Sequence, residues 1–300
     1  MCLKKVFLAI VLFIFPGIIH AELQNLEKQI RKVIKNKKAQ VGVAVIIGGK
    51  DTVTVNNECQ YPMMSVFKFH QALAVAEYCQ RNKLSFDTKI YISKDDLKQD
   101  TYSPLRDKYP EGELYLSLKE LLRYTLQMSD NNACDILFKQ LGGVSVVDEY
   151  IRRLGIRNFA IRVTEDEMHK NTDECYRNWT TPIEAAKILE LFLSDTLVYK
   201  EYGDFIKQTM IECETGKDRL VKPLLDNSQA IIGHKTGTGD RNKDNLLIGI
   251  NDIGFVCLSD TKRYTIAVFV KDSGESMHDT SKIIADISDV VYQYVCRTDQ

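Results

Sequence analysis

The sequence lacks several features that would assign its function class directly. Its 40 Lys and Arg residues balance 41 Asp and Glu residues, and the net charge of −1 gives no sign of the basic face that nucleic-acid binding usually needs. There is no Cys-x-x-Cys pair and no histidine-rich spacing, so we predict no metal site. Internal repeats and low-complexity tracts are also absent. The remaining composition, 44% hydrophobic and 27% charged over 300 residues, suits one large domain or two joined lobes.

Long apolar runs are missing as well, except at the N-terminus. There, Lys4 and Lys5 precede an apolar run over residues 6–19, and His20-Ala21 leads into a polar, charged sequence. This order is typical of a secretory signal peptide over residues 1–21, with cleavage after Ala21. The alternative is a membrane anchor, but the run is short for a span and contains a Pro-Gly pair. We therefore expect a secreted or periplasmic protein without membrane attachment after cleavage.

Export would place the cysteines in an oxidising compartment, where disulfides can form. Removing Cys2 with the signal segment leaves seven of the eight cysteines, an odd number. Cys79, Cys134 and Cys257 lie in apolar segments and should behave as small core residues. The spacing predicts no particular disulfide.

One short segment combines a nucleophile with a base. Ser65 and Lys68 open an apolar run over residues 66–76, which predicts a buried helix. Residues three apart share a helix face, so the Lys68 amine can reach the Ser65 hydroxyl, which is a weak nucleophile without a nearby base. Ser259 and Lys262 have the same spacing in a polar, loop-like context. The pair alone therefore does not define an active site.

Strand and helix patterns predict an α/β fold of the α+β type. Strands are predicted at residues 41–47, 52–55, 230–235, 246–250, 254–258 and 264–270, with turns at Gly239-Asp240 and Asn251-Asp252. Helices are predicted at residues 23–34, 118–127, 132–141, 146–154, 182–193 and 281–295, with capping boxes at Ser117–Glu120 and Thr181–Glu184. We expect one antiparallel sheet flanked by the N- and C-terminal helices, with an all-helical lobe inserted.

The same patterns predict the domain organisation. One domain would cover residues 22–300, with an α/β lobe at residues 22–60 and 213–300 and a helical lobe at residues 61–212. Within the helical lobe, residues 162–178 are polar, show no periodicity and are long for a connection. Long loops of this kind inside compact domains are usually functional or disordered.

Three short motifs follow one another along the chain: Ser65-x-x-Lys68, Ser129-Asp130-Asn131 and Lys235-Thr236-Gly237. Each is weak alone, and the middle one would also suit a helix N-cap. Together and in this order they are the signature of class A β-lactamases and penicillin-binding proteins. Nearly the whole mature chain resembles class A serine β-lactamases, and most of all their PER-like and CfxA-like branch, with similar runs at residues 61–68 and 129–133.

The resemblance implies a hydrolase that opens the β-lactam ring of antibiotics through an acyl-enzyme. Ser65 would be the nucleophile, and Lys68 would contact it as one of the candidate bases for acylation. Ser129 would pass a proton to the ring nitrogen, since a hydroxyl can both donate and accept. Asn131 would hold Lys68 and the amide of the substrate's side chain. No cofactor is implied, and we expect a monomer whose partner is a small β-lactam.

The third motif would serve substrate binding in the same family pattern. Lys235 and Thr236 would face the substrate carboxylate. The backbone N–H groups of Ser65 and Thr238 would form the oxyanion hole, and Gly237 would let the strand approach the ligand closely.

Release of the acyl group needs a base that activates water, and the family pattern places a glutamate in the loop at residues 162–178. Alignment assigns this role to Glu165, and Glu167 is the rival assignment. The alternative without a catalytic role is that these acids are exposed surface residues. Aspartate follows Glu165 where proline is commoner, and His169 stands where asparagine usually helps to hold the water. We favour a role for His169 in the site over that of a surface histidine.

Two further residues resemble peripheral parts of the family's pocket. Arg219 resembles the arginine that reaches the carboxylate clamp, a task that suits a bidentate guanidinium, although a surface arginine is equally consistent with the pattern. Tyr102 resembles the aromatic residue at the pocket mouth, where it would pack the substrate's apolar parts. Trp179 is expected to brace the end of the loop.

Two other functions share the three motifs. A penicillin-binding peptidase or transpeptidase would lack an efficient deacylating carboxylate, and a β-lactam sensor domain would stay acylated. The choice of a β-lactamase therefore depends on Glu165. The resemblance to PER-like and CfxA-like enzymes also implies a preference for cephalosporins.

Overall fold

The computed structural model describes residues 16–225 and 230–297, with side chains from residue 21 onward. The predicted signal peptide over residues 1–21 therefore lies largely outside the described residues. The first element, the helix Pro16–Ile34, runs across the predicted cleavage point at Ala21. Within the described ranges, no helix is both long and apolar enough to cross a membrane.

The described chain consists of a sheet and a helical part. The α-helices are α1 (Pro16–Ile34), α2 (Phe67–Asn82), α3 (Pro104–Lys108), α4 (Leu118–Gln127), α5 (Asn131–Leu141), α6 (Val144–Arg153), α7 (Glu165–Lys170), α8 (Pro182–Leu193), α9 (Lys200–Ile211) and α10 (Met277–Arg297). The strands are β1 (Gln40–Ile47), β2 (Asp51–Val55), β3 (Tyr61–Pro62), β4 (Lys89–Ile92), β5 (Leu114–Ser117), β6 (Phe159–Ala160), β7 (Trp179–Thr180), β8 (Ile231–Thr238), β9 (Leu247–Cys257) and β10 (Arg263–Ser273).

Five strands form one antiparallel sheet in the order β2-β1-β10-β9-β8. The N-terminal hairpin and the C-terminal strands share this sheet, with Gln40 of β1 opposite Lys271 of β10. The predicted α/β fold with an inserted helical part is thereby confirmed. Strand β8, which carries Lys235-Thr236-Gly237, lies at the edge, so one side of its backbone is not paired within the sheet.

Strand alternation explains how the sheet separates two cores. Val43 and Val45 of β1 point to one face, where they pack with Leu26 of α1 and Ile287 of α10. Ala44 of β1, between them, points to the other face and belongs to the larger core shared with the helical part. The terminal helices therefore cover one face, as predicted, while α8 packs against β1 and β10.

One predicted turn is wrong, because β9 is a single strand that runs through Asn251 and Asp252. Both side chains are buried, and each has hydrogen-bond partners that compensate for its burial. Asn251 Nδ2 donates to the carbonyl oxygens of Pro62 and Met63 at 2.8 and 3.2 Å. Asp252 accepts from the backbone N–H of Leu220 at 3.2 Å. Polar residues that usually mark a turn are tertiary anchors here.

Most of the segment at residues 162–178 is helical, although the sequence predicted a loop without periodicity. It contains α7 and a 3₁₀ helix at Thr172–Arg177. Thr164 and Glu167 form a capping box at the start of α7, which is a signal that the sequence prediction overlooked. The predicted capping box of α8 is wrong, although the helix is present. The hydroxyl of Thr181 has no hydrogen-bond partner there, and the Glu184 carboxylate instead accepts from Arg157 N–H at 2.6 Å.

The remaining predictions concern the cysteines and the lobe boundaries. Cys79 and Cys134 are buried as predicted, whereas Cys257 is partly exposed. Across residues 16–225 and 230–297 every cysteine is a free thiol. The lobe boundaries at residues 61 and 213 stay a prediction.

Candidate active site

Ser65 lies in a 3₁₀ turn, Met64–Val66, that leads directly into α2. Met64, the residue before the nucleophile, has a φ of +46°, a left-handed conformation that side-chain-bearing residues rarely adopt. The turn is held from two sides: Asn251 binds its leading carbonyl groups, and Met63 N–H donates to Asn178 O at 2.8 Å. Such strained residues persist only where surrounding contacts define them, and they cluster at active sites.

Lys68 is fully buried, and its Nζ atom has three oxygen partners. The distances are 2.8 Å to the carbonyl oxygen of Ser129, 2.6 Å to Asn131 Oδ1 and 2.9 Å to Glu165 Oε1. A carbonyl, an amide oxygen and a carboxylate offer no proton, so all three bonds use N–H groups of the lysine. Only the ammonium form has three of them. Lys68 is therefore a cation in this arrangement.

Ser65 and Lys68 meet through a shared acceptor. The hydroxyl of Ser65 donates to Glu165 Oε1 at 3.0 Å, the same oxygen that binds Lys68. The direct contact expected between the hydroxyl and the amine is thus replaced by a bridge through Glu165. The sequence suggested the wrong partner because a spacing of three residues reports the helix face only, and not what else reaches that face.

Glu165 is 6% exposed and lies at the first position of α7. Its rival Glu167 is exposed, and its carboxylate accepts from the backbone N–H and hydroxyl of Thr164 at 2.8 and 3.0 Å. The two acids lie within one turn of the same short helix, yet only Glu165 contacts Ser65. Of the two glutamates, the structure brings Glu165 to the nucleophile.

Asp135 of α5 holds Glu165 in place, and it was not predicted. Its two carboxylate oxygens accept from the backbone N–H groups of Glu165 and Asp166, each at 2.9 Å. Burial, and then the negative charge of Glu165, raise the pKa of Asp135 to about 7. A signal was present in the sequence, since Asp135 lies four residues after Asn131 and therefore on the same helix face.

Replacing Asp135 with asparagine is expected to slow release of the acyl group. An amide has one acceptor oxygen, so one of the two N–H groups at the start of α7 loses its partner and Glu165 is held less firmly. We expect kcat to fall by about tenfold and KM to fall with it, because slower release lets acyl-enzyme accumulate. Steady-state kinetics with a chromogenic cephalosporin measure both. Asp166→Asn removes the same charge from a surface pair with Lys170 and should change neither constant; an unchanged kcat in Asp135→Asn would contradict the role of Asp135.

Ser129 joins the two lysines of the site. Its carbonyl oxygen accepts from Lys68, and its hydroxyl accepts from Lys235 Nζ at 2.8 Å. Its φ of +61° is also left-handed, so a second strained residue faces the first across the cleft. The adjacent Asp130 is the N-cap of α5 and accepts from Ala133 N–H at 2.8 Å. The helix-cap interpretation is confirmed for Asp130, whereas the catalytic role of Ser129 stays a prediction.

Lys235 is fully buried on β8 and donates to the Ser129 hydroxyl and to its neighbour's carbonyl oxygen, Thr236 O, at 2.9 Å. Burial, and then the positive charge of Lys68, lower the pKa of Lys235 to about 7. Because Lys235 occupies the acceptor side of the Ser129 hydroxyl, the proton of that hydroxyl can point into the cleft.

Gly237 and Thr238 place the end of β8 against the Ser65 turn. A Cβ atom on Gly237 would lie 2.6 Å from the carbonyl oxygen of Met63, so the glycine is needed for packing against this turn. The predicted close approach of this strand to a ligand stays a prediction. The N–H of Gly239 donates to Gly249 O on β9 at 2.8 Å. Since successive N–H groups of a strand alternate in direction, the N–H of Thr238 points to the open edge.

Arg219 lies behind β8, buried to 5% exposure. Its guanidinium donates to the carbonyl oxygens of Gly237 and Asn251, each at 3.0 Å, and to Thr238 Oγ1 at 2.7 Å. These contacts hold the end of β8. Arg219 is therefore not a surface arginine, which was one of the two possibilities in the sequence. Its guanidinium contacts the hydroxyl of Thr238, and Thr238 in turn lines the cleft.

The remaining residues singled out in the sequence lie in different settings. His169 is exposed and lines the cavity that also contains Asn131, Glu165 and Thr238. Tyr102 is 57% exposed, and its carbonyl oxygen accepts from Asn131 N–H at 3.1 Å. Trp179, next to the loop anchor Asn178, pairs with β3 and β6. Ser259, the serine with equivalent spacing, lies in an exposed turn closed by its bond to Lys262 O at 3.3 Å.

The described side chains contain no cluster of His, Cys, Asp and Glu that could hold a metal ion. They do bring together the candidate nucleophile Ser65, a carboxylate within hydrogen-bond distance of it, a second serine between two lysines and a strand edge with an outward-pointing N–H. Fold and site together define a serine hydrolase of the acyl-enzyme type.

Comparison with known proteins identifies the family. Residues 25–295 match the model of the "Beta-lactamase enzyme family", and the chain belongs to this family, within class A. A β-lactamase of Bacteroides uniformis is 42% identical over 277 residues, covering 90% of this chain and 91% of that protein. The extended-spectrum β-lactamase PER-1 of Pseudomonas aeruginosa is 35% identical over 272 residues, covering 90% and 87%. The predicted likeness to the PER-like enzymes is confirmed.

Solved structures agree with the sequence relatives. The crystal structure of the TLA-1 extended-spectrum β-lactamase matches with a TM-score of 0.89 and 42% identity, covering 92% of this chain and all of that one (100%). A class A β-lactamase from Bacteroides cellulosilyticus matches with a TM-score of 0.87 and 41% identity, covering 91% and 98%. The protein is a β-lactam hydrolase, and the predicted function is confirmed at this level.

Proposed function

We propose that this enzyme hydrolyses β-lactam antibiotics by acylation of Ser65 and Glu165-assisted release, with cephalosporins as its preferred substrates. The observation that carries the proposal is the shared oxygen Glu165 Oε1, which accepts from the nucleophile at 3.0 Å and from Lys68 at 2.9 Å. A carboxylate so close to the nucleophile can act both before and after the acyl-enzyme forms.

In acylation, the Ser65 oxygen attacks the carbonyl carbon of the ring. The hydroxyl proton of Ser65 moves to Glu165, which already accepts its hydrogen bond. Meanwhile the Lys68 ammonium stabilises the negative charge on the Ser65 oxygen and on Glu165 Oε1. The N–H groups of Ser65 and Thr238 receive the developing oxyanion, a contribution often worth several kcal/mol. We therefore assign the first proton transfer to Glu165 in the native enzyme, and not to Lys68.

The ring nitrogen leaves with a proton from Ser129. The hydroxyl of Ser129 gives up this proton while it accepts a hydrogen bond from Lys235, so the proton lost can be replaced along the same path. Lys235 and Thr236 bind the substrate carboxylate, and Arg219 supports this edge through the hydroxyl of Thr238. Asn131 fixes Lys68 and offers its amide to the substrate's side chain.

Release reverses the roles. Before release, Glu165 gives the proton that it took from Ser65 to solvent, and Lys235 regains one from solvent. Glu165 then takes a proton from a water molecule, and the resulting hydroxide attacks the ester carbon of the acyl-enzyme. The bond from this carbon to the Ser65 oxygen breaks, and Glu165 returns the proton to Ser65. His169 lies on the cavity wall beside Glu165 and orients the water or the substrate. Tyr102, at the mouth, packs the substrate's apolar parts.

The family match and the β-lactamase relatives favour a turnover enzyme over the two other functions that share the motifs, a penicillin-binding peptidase and a β-lactam sensor. The 6% exposure of Glu165 and its contact with Ser65 support turnover, because neither alternative requires such a base. Purified protein should convert many equivalents of a chromogenic cephalosporin. A single stoichiometric burst without further turnover would refute the proposal.

The cephalosporin preference is supported by relatives whose names denote extended-spectrum enzymes, PER-1 and TLA-1. We expect kcat/KM to be higher for an early and an oxyimino-cephalosporin than for a penicillin or a carbapenem. Initial rates across these four compounds test it, and a higher value for the penicillin would reverse the assignment.

We further propose export to the periplasm with cleavage after Ala21, function as a monomer without membrane attachment, and the two-lobe division at residues 61 and 213. The order of charged, apolar and small residues over positions 4–21 supports export. The sheet built from N- and C-terminal strands, with helices between them in the chain, supports the two-lobe division. N-terminal sequencing of the protein recovered from the periplasm tests the first, and light scattering tests the second.

The ionisation of Lys235 predicts an alkaline limit to substrate capture. With its pKa lowered to about 7, Lys235 loses its positive charge as the pH rises through this value, and its attraction for the substrate carboxylate is lost with it. In the free enzyme kcat/KM for a cephalosporin should therefore fall above pH 7, whereas kcat should hold to higher pH because the bound carboxylate favours the ammonium form.

An uncharged ester of the same cephalosporin is the matched control for this limit. Without a carboxylate there is no attraction to lose, so the alkaline fall in kcat/KM should be absent. The same fall with acid and ester would show that a group other than Lys235 causes it.

A further inference from the structure

A second cluster of reactive side chains lies behind β8, outside the catalytic cleft. It consists of Cys213, His234 and Asp252, which come from the segment after α9, from β8 and from β9. His234 Nδ1 lies 3.0 and 3.1 Å from the two carboxylate oxygens of Asp252. The imidazole of His234 lies close enough to Cys213 for its charge to act on the thiol. Since Nδ1 faces Asp252, Nε2 is the ring nitrogen that remains available to the thiol.

The charges in this cluster favour a thiolate. Burial opposes ionisation of Cys213, but the hydrogen bond and charge of His234, together with the charge of Lys235, outweigh it and lower the pKa of the thiol to about 7. Burial also opposes the imidazolium, but the charge and hydrogen bond of Asp252 raise the pKa of His234 to about 10. Near pH 7 a substantial fraction of Cys213 is therefore thiolate, beside an imidazolium that is paired with Asp252. The proposed catalytic mechanism uses none of these three side chains.

The cluster is connected to the substrate-binding strand by a short path. Cys213 Sγ lies 3.4 Å from Thr215 Oγ1, which in turn lies 2.6 Å from Thr236 Oγ1. The side chains along this path are tightly packed, because a Cβ atom on the adjacent Gly216 would lie 2.4 Å from Thr236 Cγ2. A change of size at the sulfur must therefore move Thr215 or Thr236.

We propose that Cys213 is a site of covalent oxidation by small hydroperoxides, and that its oxidation lowers β-lactam hydrolysis through Thr215 and Thr236. Cys213 is 9% exposed, so we expect small oxidants such as hydrogen peroxide to react with it faster than bulky ones. The other cysteines of the described chain lack a histidine and carboxylate arranged in this way.

The reaction balances with the groups present. The thiolate sulfur attacks one oxygen of the peroxide, a new S–O bond forms and the O–O bond breaks. Sulfur is oxidised by two electrons to sulfenic acid, and the peroxide is reduced. The leaving hydroxide takes the proton of the His234 imidazolium and departs as water. The neutral imidazole that remains stays paired with Asp252.

Oxidation would act on the cleft in two ways. The added oxygen displaces Thr215, and hence the Thr236 hydroxyl that faces the substrate carboxylate. The negative thiolate, which helps to keep Lys235 charged, is also lost. This second half of the inference rests on the proposed roles of Lys235 and Thr236. We expect oxidation of Cys213 to lower kcat/KM by about tenfold, with a smaller change in kcat.

Peroxide treatment with two independent readouts tests the inference. The full-length mature protein is exposed to hydrogen peroxide at pH 7.5, sulfenic acid is trapped with dimedone, and peptide mass spectrometry compares all cysteines. We expect Cys213 to be labelled at least about tenfold faster than Cys257, a partly exposed thiol whose pKa is raised by burial. Equal labelling of Cys213 and Cys257 would overturn the proposal.

Activity measured before and after peroxide tests the coupling. Wild type and Cys257→Ala should lose kcat/KM on treatment and recover it with dithiothreitol, while Cys213→Ala should keep its own untreated value. Labelling of Cys213 with unchanged kcat/KM would overturn the regulatory half. If untreated enzyme showed no turnover at all, the proposed function would fail, but the labelling ratio would still decide the reactivity of Cys213.

Discussion

Replacing Glu165 with glutamine is expected to leave the enzyme trapped as its acyl-enzyme. Glutamine keeps the size of the side chain but cannot accept a proton from water, so kcat should fall by roughly 100- to 10,000-fold. Attack should slow less. Without the carboxylate, Lys68 is the remaining basic side chain beside Ser65, and its amine can take the proton of the hydroxyl. A burst of one equivalent, followed by almost no turnover, is the expected trace.

Glu167→Gln is the matched control for this result. It makes the same chemical change two residues away, where the carboxylate caps α7 through Thr164 and does not contact Ser65. Its turnover should stay within a few-fold of wild type, the size of effect expected from a weakened cap. Trapping by Glu167→Gln, with free turnover by Glu165→Gln, would exchange the two assignments.

Replacing Ser65 with alanine is expected to abolish acylation altogether. Within residues 16–225 and 230–297, Ser65 has the one hydroxyl that bonds to Glu165, so we expect no replacement for it and a fall in kcat/KM of at least about 10⁴-fold. A fluorescent penicillin followed by denaturing gel electrophoresis reports covalent labelling directly. Binding without reaction should persist, because Lys235 and Thr236 are untouched.

Ser259→Ala provides the comparison for the nucleophile. Ser259 has the same three-residue spacing to a lysine, but it lies in an exposed turn, so its loss should leave labelling and turnover unchanged. Labelling of Ser65→Ala at the normal rate would show that the nucleophile has been misassigned.

The convergence of these side chains was predictable from the sequence because the motifs mark residues that lie together in the family they resemble. Ser65, Ser129 and Lys235 are distant in the chain, and the structure brings all three to one cleft. What the motifs could not report is the partner of each atom. The bridge from Ser65 to Lys68 through Glu165 depends on where α7 begins, and Asp135 sets that position from another helix.

Local patterns failed where tertiary contacts override them. Asn251 and Asp252 have the composition of a turn, but the carbonyl groups before Ser65 and the N–H of Leu220 need partners inside the protein. Helix α9 was overlooked although Tyr202, Ile206 and Met210 recur every four residues and are buried. The left-handed φ angles of Met64 and Ser129 follow from packing and leave no trace in composition.

The division of labour between attack by Ser65 and release by Glu165 is tested most directly by locating the trapped acyl group. Glu165→Gln is mixed with a cephalosporin, digested and analysed by tandem mass spectrometry. The adduct should lie on Ser65, in the peptide that contains Lys68, with close to one acyl group per molecule. An adduct on Ser129, or no adduct while the substrate is consumed, would contradict this account of the enzyme.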